Sequence, residues 1–312
     1  MIPQILNQAR RVARRLKIGS AGTLEPLNPS FDSLVLAQVG VKEVATGFEF
    51  TEGPVWRPDL NALLFSDIPA NRIFKLDCKG KVTGFREPSG NSNGLTLDKE
   101  GRLIACEHGH HRVTRIELDG SITILADEFE GKPLNSPNDV VVKSDGAIYF
   151  TDPPYGREGE KPVQRVSGVY LLAADHRGLS LVADDFVRPN GLAFSPDEKK
   201  LYINDSSERS HIRVFDVNTD GSLSGGNVFA ELNSTASGSP DGIKLDVQGN
   251  IYCAGPGGVW LFNENGEHLG TILTREVPSN CAWGDADFRT LYITARTSIY
   301  KVRVNIKGIC VV

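Results

Sequence analysis

The chain has 312 residues, a formal net charge of −5 at pH 7 and 40% hydrophobic residues. This composition predicts a folded protein with an apolar core, and the weak negative charge argues against nucleic acid as a partner. The five cysteines are odd in number and widely spaced, which favours free thiols in a reducing compartment over a disulfide framework. A cytoplasmic location is therefore expected for this chain, whose cysteines are Cys78, Cys106, Cys253, Cys281 and Cys310.

The first twenty residues are basic and carry apolar side chains at helical spacing, including Leu6, Val12 and Leu16. A short basic amphipathic helix fits this pattern, as does a surface helix packed on the domain or a frayed terminus. The segment lacks the continuous apolar core of a signal peptide. No later run is long enough to span a bilayer, so we expect no stable membrane insertion.

One sequence pattern recurs six times along the chain. A polar residue opens a short apolar strand, a charged turn follows, and a second apolar strand returns, as in Asn190–Phe194, Pro196–Lys200 and Leu201–Asp205. Successive openings are spaced by 41, 45, 52, 51 and 39 residues, with no helical pattern between them. This period is typical of β-propeller blades. The six opening residues are Glu52, Asn93, Asn138, Asn190, Asp241 and Asn280.

The predicted fold is an all-β, six-bladed β-propeller closed by an N-terminal strand. The sixth repeat lacks a fourth strand, whereas alternating apolar residues between 34 and 45 precede the first repeat. A ring of sheets leaves no open edge only if its two ends join, so this early strand should complete the last blade. We therefore predict an N-terminal extension (1–33), the propeller (34–306) and a C-terminal tail (307–312).

In antiparallel hairpins, the start of the first strand and the end of the second lie at one rim. The six opening residues should therefore meet at one mouth of the central tunnel, and each carries an oxygen acceptor. Asn and Asp before Gly also form turns, which would explain about half of them but not Glu52. Such a ring of oxygens suits a hard divalent cation, with Glu52 and Asp241 supplying charge −2.

The return strands bring a second set of polar residues to the same rim. Tyr155 lies in a long insert, residues 152–167, that could overhang the mouth. His108 and Asp152 are the preferred substrate contacts of this set, although a structural role is an equal alternative for each residue. The cluster from His108 to His111 matches no common zinc spacing. The full set is Asp67, Glu107, His108, Asp152, Asp205 and Arg296, joined by Asn93, Asn280 and Tyr155.

Several motifs resemble the family that contains gluconolactonases, senescence marker protein (regucalcin) and luciferin-regenerating enzyme, and the gluconolactonase branch in particular. The resemblance extends over roughly residues 40 to 304, around all six repeats. The motifs that carry it are Thr51-Glu52-Gly53-Pro54-Val55-Trp56, Ser136-Pro137-Asn138-Asp139-Val140, Phe150-Thr151-Asp152-Pro153-Pro154-Tyr155-Gly156, Arg188-Pro189-Asn190-Gly191-Leu192 and Pro240-Asp241-Gly242.

The resemblance implies a six-bladed propeller that hydrolyses lactones with one divalent metal ion in its channel. Carried over by position, the metal ligands are Glu52, Asn190 and Asp241, with Asn138 as a fourth ligand or a substrate contact. Asp241 would also be the general acid and base, and Asn93 would join the substrate contacts. Ca²⁺ is the ion expected first, with Zn²⁺, Mg²⁺, Mn²⁺ and Fe²⁺ as alternatives.

One position departs from the regucalcin pattern: Ser136 stands where regucalcins have an Arg two residues before the asparagine. This removes a sugar contact and leaves the identity of the lactone open. The leading hypothesis is a metal-dependent hydrolase of an aldonolactone, acting as a monomer or homodimer. The alternatives are a phosphotriesterase or another ester hydrolase on the same metal site, and a non-catalytic protein-binding propeller.

Overall fold

A computed structural model describes residues 21–35, 38–155 and 162–310. The basic N-terminal helix predicted from the sequence lies outside these residues. Two strands, β1 (Gly22–Pro26) and β2 (Lys42–Thr46), come before the first repeat, with the one-turn helix α1 (Phe31–Leu34) between them. Within the described residues, no helix is long and apolar enough to cross a membrane.

Six antiparallel sheets follow in chain order and form a six-bladed propeller, as predicted. The first blade contains a single 3₁₀ turn (Pro58–Leu60) between its first two strands. The first two blades consist of β3 (Thr51–Arg57), β4 (Ala62–Asp67), β5 (Arg72–Asp77) and β6 (Val82–Arg86), and of β7 (Ser92–Leu97), β8 (Leu103–Glu107), β9 (Arg112–Ile116) and β10 (Ile122–Ala126).

A small hairpin separates the second blade from the third; its strands are β11 (Glu128–Phe129) and β12 (Lys132–Pro133). The third and fourth blades consist of β13 (Val140–Val142), β14 (Ile148–Asp152), β15 (Ser167–Leu172) and β16 (Leu179–Phe186), and of β17 (Pro189–Phe194), β18 (Lys200–Asp205), β19 (His211–Val217) and β20 (Leu223–Glu231). The fifth and sixth consist of β21 (Ile243–Leu245), β22 (Ile251–Gly255), β23 (Gly258–Phe262) and β24 (His268–Thr274), and of β25 (Asn280–Gly284), β26 (Thr290–Ala295) and β27 (Ser298–Arg303).

The N-terminal strand β2 completes the sixth blade. It pairs antiparallel with β27, with Lys42 opposite Lys301 and Thr46 opposite Ser298. The blade thereby gains the fourth strand that its own repeat lacks, and the ring is closed by strands that are far apart in sequence. The predicted closure is confirmed.

The fifth blade has an additional outer strand that the sequence did not predict. Strand β1, from the segment assigned to the extension, pairs with β24 so that Gly22 lies opposite Thr274. The following helix buries Phe31 and Leu34 in an apolar cluster that spans the fifth and sixth blades. Residues 21–35 are therefore part of the propeller rather than an appendage to it.

Adjacent blades pack through large apolar side chains on their facing surfaces. Tyr149 in the third blade contacts Phe194 in the fourth edge to face, with ring centroids 5.3 Å apart. Tyr252 in the fifth blade meets Trp283 in the sixth in the same way at 4.8 Å. Aromatic pairs with this geometry stabilise beyond the burial of their area. This packing fixes the six inner strands around the tunnel.

Candidate active site

Eight residues are predicted foremost as metal ligands or substrate contacts, and seven of them line one cavity of about 460 Å³, at the rim where the inner strands begin. This volume lies within the usual range of about 300–1,000 Å³ for small-molecule sites. The eighth, Asp152, does not line the cavity. The seven that do are Glu52, Asn93, His108, Asn138, Tyr155, Asn190 and Asp241.

Glycines that follow the opening residues allow the inner strands to lie very close together. A Cβ at Gly53, which has a φ of +52°, would lie 2.0 Å from the Asn93 carbonyl oxygen. A Cβ at Gly191 would lie 2.3 Å from the Asp241 carbonyl oxygen, although the backbone of Gly191 is not left-handed. These glycines allow the backbones of neighbouring blades to approach each other closely, and this is their role rather than the formation of tight turns.

Side-chain donors on the second strands hold the opening residues in place. Ser66 Oγ donates to the Asn93 carbonyl at 2.8 Å, and Thr151 Oγ1 donates to the Asn190 carbonyl at 2.9 Å. Asn204 Nδ2 donates to the Asp241 carbonyl in the same way. Each donor belongs to the blade preceding the residue it holds. The opening residues therefore begin their strands with backbones that are fixed across the blade boundary.

Two carboxyl groups meet on the floor of the cavity. Glu52 is 3% exposed, and its side chain is hydrogen-bonded to that of Asp241. A hydrogen bond between two carboxyl groups requires one of them to be protonated. Burial raises the pKa of Glu52 to about 7; the Gly53 N–H opposes this shift and the Asp139 carboxylate adds to it. Burial also raises the pKa of Asp241 well above its usual range, and the negative charge of Glu52 adds to the effect.

The Glu52 carboxylate is oriented by two donors. The Gly53 N–H donates to Glu52 Oε2 at 2.6 Å, and Asn280 Nδ2 donates to the same oxygen at 3.0 Å. The Asn280 amide is itself oriented, because its Oδ1 accepts from the Cys281 N–H at 2.8 Å and from Lys244 Nζ at 3.4 Å. This chain of contacts fixes Glu52 Oε2 and thereby the orientation of the carboxyl group toward Asp241.

Asp139 is a buried carboxylate that the sequence analysis did not single out. It is 3% exposed, and its Oδ2 has no hydrogen-bond partner among the described residues. The nearest cation is Lys244, whose Nζ lies 4.0 Å from Asp139 Oδ2. Burial raises the pKa of Asp139, and Lys244 opposes the shift. The sequence signal was the third repeat itself, where Asp139 replaces the glycine that follows Asn93, Asn190 or Asp241.

The donor set of the cavity fits a hard divalent cation. In the described part of the chain, no group of three or more His, Cys, Asp or Glu side chains is arranged to hold a metal ion. The cavity offers a different set, with two carboxyls in contact and the amide oxygens of Asn138 and Asn190 beside them. A cation between such oxygens would favour the ionised form of both carboxyls, whose pKa values are raised mainly by burial.

One wall of the cavity carries neutral hydrogen-bonding groups. Asn93 Nδ2 and His108 Nε2 are 3.3 Å apart. Burial lowers the pKa of His108 to about 4, with a smaller contribution from His111, so the imidazole is uncharged near pH 7. Burial raises the pKa of Tyr155, whose hydroxyl is hydrogen-bonded to Ser206 and Asn190. These groups can bind sugar hydroxyls without adding charge.

Asp152 was predicted to contact the substrate together with His108, but in the structure it has a structural role. It is fully buried, and its carboxylate accepts from the backbone N–H groups of Asn135 at 2.8 Å and Ser136 at 2.7 Å. Asp67 and Asp205, at the same position of other blades, also accept from two consecutive N–H groups, of Glu49 and Phe50 and of Val187 and Arg188. The aspartates that end these second strands therefore anchor the loops that lead to the opening residues.

The other histidines of the 108–111 cluster lie outside the cavity. His110 Nδ1 is 2.9 Å from Glu107 Oε2, and His111 Nδ1 is 2.6 Å from the Asn135 carbonyl. Glu107 is fully buried and also binds Arg86 and Arg112. This cluster is a buried ion-pair network rather than a zinc site.

The structure defines a six-bladed propeller with an oxygen-lined cavity at one mouth, and comparison with known proteins gives the family. The model of the "SMP-30/Gluconolactonase/LRE-like region" matches residues 50–297. A gluconolactonase of Zymomonas mobilis is 31% identical over 97% of this chain and 92% of its own length. A pentonolactonase of Haloferax volcanii is 27% identical over 80% of this chain and 83% of its own.

Solved structures agree with this result. A gluconolactonase of Xanthomonas campestris superposes with a TM-score of 0.84 at 33% identity, covering 90% of this chain and 94% of that one. A calcium-binding regucalcin of Agrobacterium tumefaciens has a TM-score of 0.74 at 20% identity over 86% and 95% of the two chains, which shows the shared fold. The chain belongs to the SMP-30/gluconolactonase/LRE-like family. This membership supports lactone hydrolysis as its activity.

Proposed function

We propose that the protein hydrolyses a sugar lactone of the aldonolactone type to the hydroxy acid, with one divalent cation in the cavity. The observation that carries the proposal is the contact between the Glu52 and Asp241 carboxyls on the floor of an open cavity. Relatives named gluconolactonase and pentonolactonase support the substrate class. The calcium-binding regucalcin with the same fold supports Ca²⁺ as the first ion to test.

Glu52, Asn190 and Asp241 would hold the cation, with Asn138 as a fourth ligand or a substrate contact. When bound, the ion supplies Lewis-acid polarisation of the lactone carbonyl and neutralises the negative charge that develops on its oxygen. Asn280 and the Gly53 N–H keep Glu52 oriented for this role.

Asp241 is the proposed general base. Its carboxylate takes a proton from a water molecule as the water oxygen attacks the carbonyl carbon. Asn190, hydrogen-bonded to Asp241, orients that carboxylate. The bond between the carbonyl carbon and the ring oxygen then breaks, and Asp241 returns the proton to the departing ring oxygen. The product is the open-chain hydroxy acid.

The remaining cavity residues would position the sugar. Asn93, His108 and Tyr155 offer uncharged donors and acceptors along the wall. Correct placement of reacting groups contributes much of an enzyme's rate, so these contacts should affect both affinity and turnover.

The proposal is tested by acid release from glucono-1,5-lactone in a pH-indicator assay. We expect turnover that a chelator abolishes and added Ca²⁺ restores. A parallel arm with an organophosphate triester tests the phosphotriesterase alternative. Absence of turnover on lactones in the presence of each candidate ion would refute the proposal, and turnover confined to the triester would replace it with the alternative.

A further inference from the structure

Two arginines at the rim of the cavity have guanidinium groups that pair with no other described residue. Arg188 and Arg296 line the cavity, and both are exposed. Among the described residues, neither side chain forms an ion pair or a hydrogen bond. Arg188 comes just before the fourth inner strand, and Arg296 lies in the β26–β27 turn of the sixth blade. They therefore stand on either side of the blade that carries Asp241.

The acidic side chains that are hydrogen-bonded to the loops carrying these arginines are already engaged. Asp205 accepts from the N–H groups of Val187 and Arg188, and its nearest cationic group is Arg209 at 3.6 Å. Glu276 accepts from the Thr297 N–H at 2.7 Å and from Ser298 Oγ at 2.6 Å. Within residues 21–35, 38–155 and 162–310, the positive charge of the two rim arginines is therefore not neutralised by an acidic side chain.

Two other arginines show the alternative arrangement, because each is paired with an acid. Arg213 contacts Asp185 at 2.7 Å, and Arg72 contacts Glu87 at 2.5 Å. The whole chain carries a net charge of −5. Two guanidinium groups that pair with no acid of the described residues therefore give the mouth of the cavity a local charge opposite to that of the whole protein.

The backbones of both rim arginines are fixed. Arg296 has a φ of 44°, a left-handed conformation that is unfavourable for a residue with a long side chain. Its carbonyl accepts from the Thr51 N–H at 2.7 Å, which ties the turn to the first blade. The Arg188 N–H is held by Asp205, and its carbonyl accepts from the Ser206 N–H at 2.9 Å. Residues kept in strained conformations are concentrated at functional sites.

The charges of the cavity are arranged in two layers. Glu52 and Asp241 place acidic groups at the floor, and Arg188 and Arg296 place cationic groups at the rim. In the proposed function a cation neutralises the floor and receives the lactone carbonyl, so a substrate with a further anionic group would be held by that group at the rim. It would bind with the neutral lactone ring inward and the anionic group outward, since guanidinium groups bind carboxylates and phosphates well.

On the basis of the proposed function, we propose that the preferred substrate is a lactone carrying a second, anionic group at the end remote from the lactone carbonyl, bound by Arg188 and Arg296. The shared chemistry is that of a sugar carboxylate or a sugar phosphate. The two arginines are specificity-determining residues in this assignment, and they take no part in breaking the ester bond.

The test compares matched substrates that differ in this one group. Glucono-1,5-lactone is paired with its 6-phosphate, and glucono-1,4-lactone is paired with glucaro-1,4-lactone, which has a carboxylate at carbon 6. We expect kcat/KM to be at least about 10-fold higher for one anionic member than for its neutral partner, mainly through KM. The phosphate and carboxylate arms distinguish the two sources of the charge. The preference should decrease as salt is added, because the rim is exposed.

Variants of the arginines separate charge from structure. Arg188→Gln and Arg296→Gln should each raise KM for the anionic lactone several-fold, and the double variant should remove the preference by lowering kcat/KM far more on the anionic lactone than on the neutral one. Arg188→Lys should retain much of the preference for the anionic lactone, because the positive charge is kept. Arg177→Gln is the matched control, because Arg177 is exposed in the β15–β16 turn at the opposite rim. Equal losses on neutral and anionic lactones would overturn the assignment.

A binding measurement keeps this proposal distinct from lactone hydrolysis itself. Calorimetry with the open-chain acids 6-phosphogluconate, glucarate and gluconate needs no turnover. We expect 6-phosphogluconate or glucarate to bind at least about 10-fold more tightly than gluconate, and the double variant to lose the difference. If both anionic acids bind no better than gluconate, the assignment is wrong even where neutral lactones are hydrolysed. If they bind better but no lactone is hydrolysed, the assignment stands and the proposed reaction fails.

Discussion

The two mouths of the central tunnel are built by the same six inner strands, yet they have opposite character. At the rim where the strands begin, the cavity floor is formed by Glu52, Asp241 and asparagine amides. Toward the other rim, a cavity of about 380 Å³ is lined mainly by apolar side chains such as Leu97, Phe194 and Trp283. Only a few residues along each strand separate the two environments.

This difference shows that one end of an inner strand supplies functional side chains and the rest of the strand supplies the packing that stabilises the fold. Five of the six opening residues face the cavity, so their side chains are free to carry chemistry. The strand residues that follow them lie between neighbouring blades, and burial of apolar side chains there stabilises the ring. Substitutions at the two ends should therefore separate activity from stability, and four predictions test that separation.

The largest effect is expected at the polar mouth. Asp241→Asn should lower kcat by about 10³-fold and weaken cation binding, because the general base and one ligand charge are lost together. In the ion-free protein the unfolding free energy should not decrease, since a carboxyl that is costly to bury is removed. Glu198→Gln at the apolar mouth is the control and should leave kcat as in the wild type. Normal turnover by an Asp241→Asn protein without a bound ion would refute the role.

The next effect is expected at the apolar mouth. Leu97 is 1% exposed and packs in a cluster with Val55, Leu95 and Leu103. Leu97→Ala should lower the unfolding free energy by about 2–5 kcal/mol through lost burial and a residual cavity, as measured by urea denaturation. The kcat of the folded fraction should be unchanged. Leu118→Ala, at a side chain that is 85% exposed, should change stability by less than about 0.5 kcal/mol.

A third prediction concerns the stability of the ion-free protein at different pH values. The pKa of Glu52 is raised from 4.5 to about 7 in the folded state. Between pH 4.5 and about pH 7, Glu52 is ionised in the unfolded chain but still protonated in the folded protein. The unfolding free energy therefore falls as the pH rises through this range. The decrease should be on the order of 3 kcal/mol and complete above pH 7.

Urea denaturation at pH 5 and pH 8 in the presence of a chelator measures this decrease. Added Ca²⁺ should suppress it, because the cation favours the ionised carboxyls in the folded state. In Glu52→Gln the decrease in unfolding free energy between pH 5 and pH 8 should be smaller, because Glu52 no longer contributes to it. An identical pH dependence in this variant and the wild type would contradict the prediction.

The smallest effect is expected for the asparagine beside the ion site. Asn138→Ala should raise KM for the lactone by about 10-fold while cation affinity changes less, if Asn138 contacts the substrate more than the ion. Steady-state kinetics and calorimetry with Ca²⁺ measure the two quantities separately. A loss of cation affinity as large as in Asp241→Asn would make Asn138 a principal ligand instead.

The sequence predicted the features that repeat. Six spaced polar residues indicated six blades and one mouth, and the missing fourth strand of the last repeat indicated that an N-terminal strand closes the ring. Both expectations hold because the rise and alternation of strands leave little freedom in how such repeats assemble.

Features that depend on contacts between blades were not predictable from the pattern. Asp152 looked equivalent to a cavity residue, but its carboxylate binds two backbone N–H groups that lie 16 and 17 residues earlier. Gly191 looked like a turn residue, and its role follows from the position of Asp241 in the next blade. Strand β1 gave no sign of its partner, because Gly22 and Thr274 are separated by nearly the whole chain.

The closure of the last blade also has a consequence for the synthesis of the protein. Strand β2 is made before all six repeats, whereas its partner β27 belongs to the sixth. Until residue 303 or so has emerged from the ribosome, the nascent ring has two exposed sheet edges, which are sites for unwanted pairing with other chains. Closure of the ring therefore waits for the sixth blade, and pairing of such distant segments is slow compared with that of local hairpins.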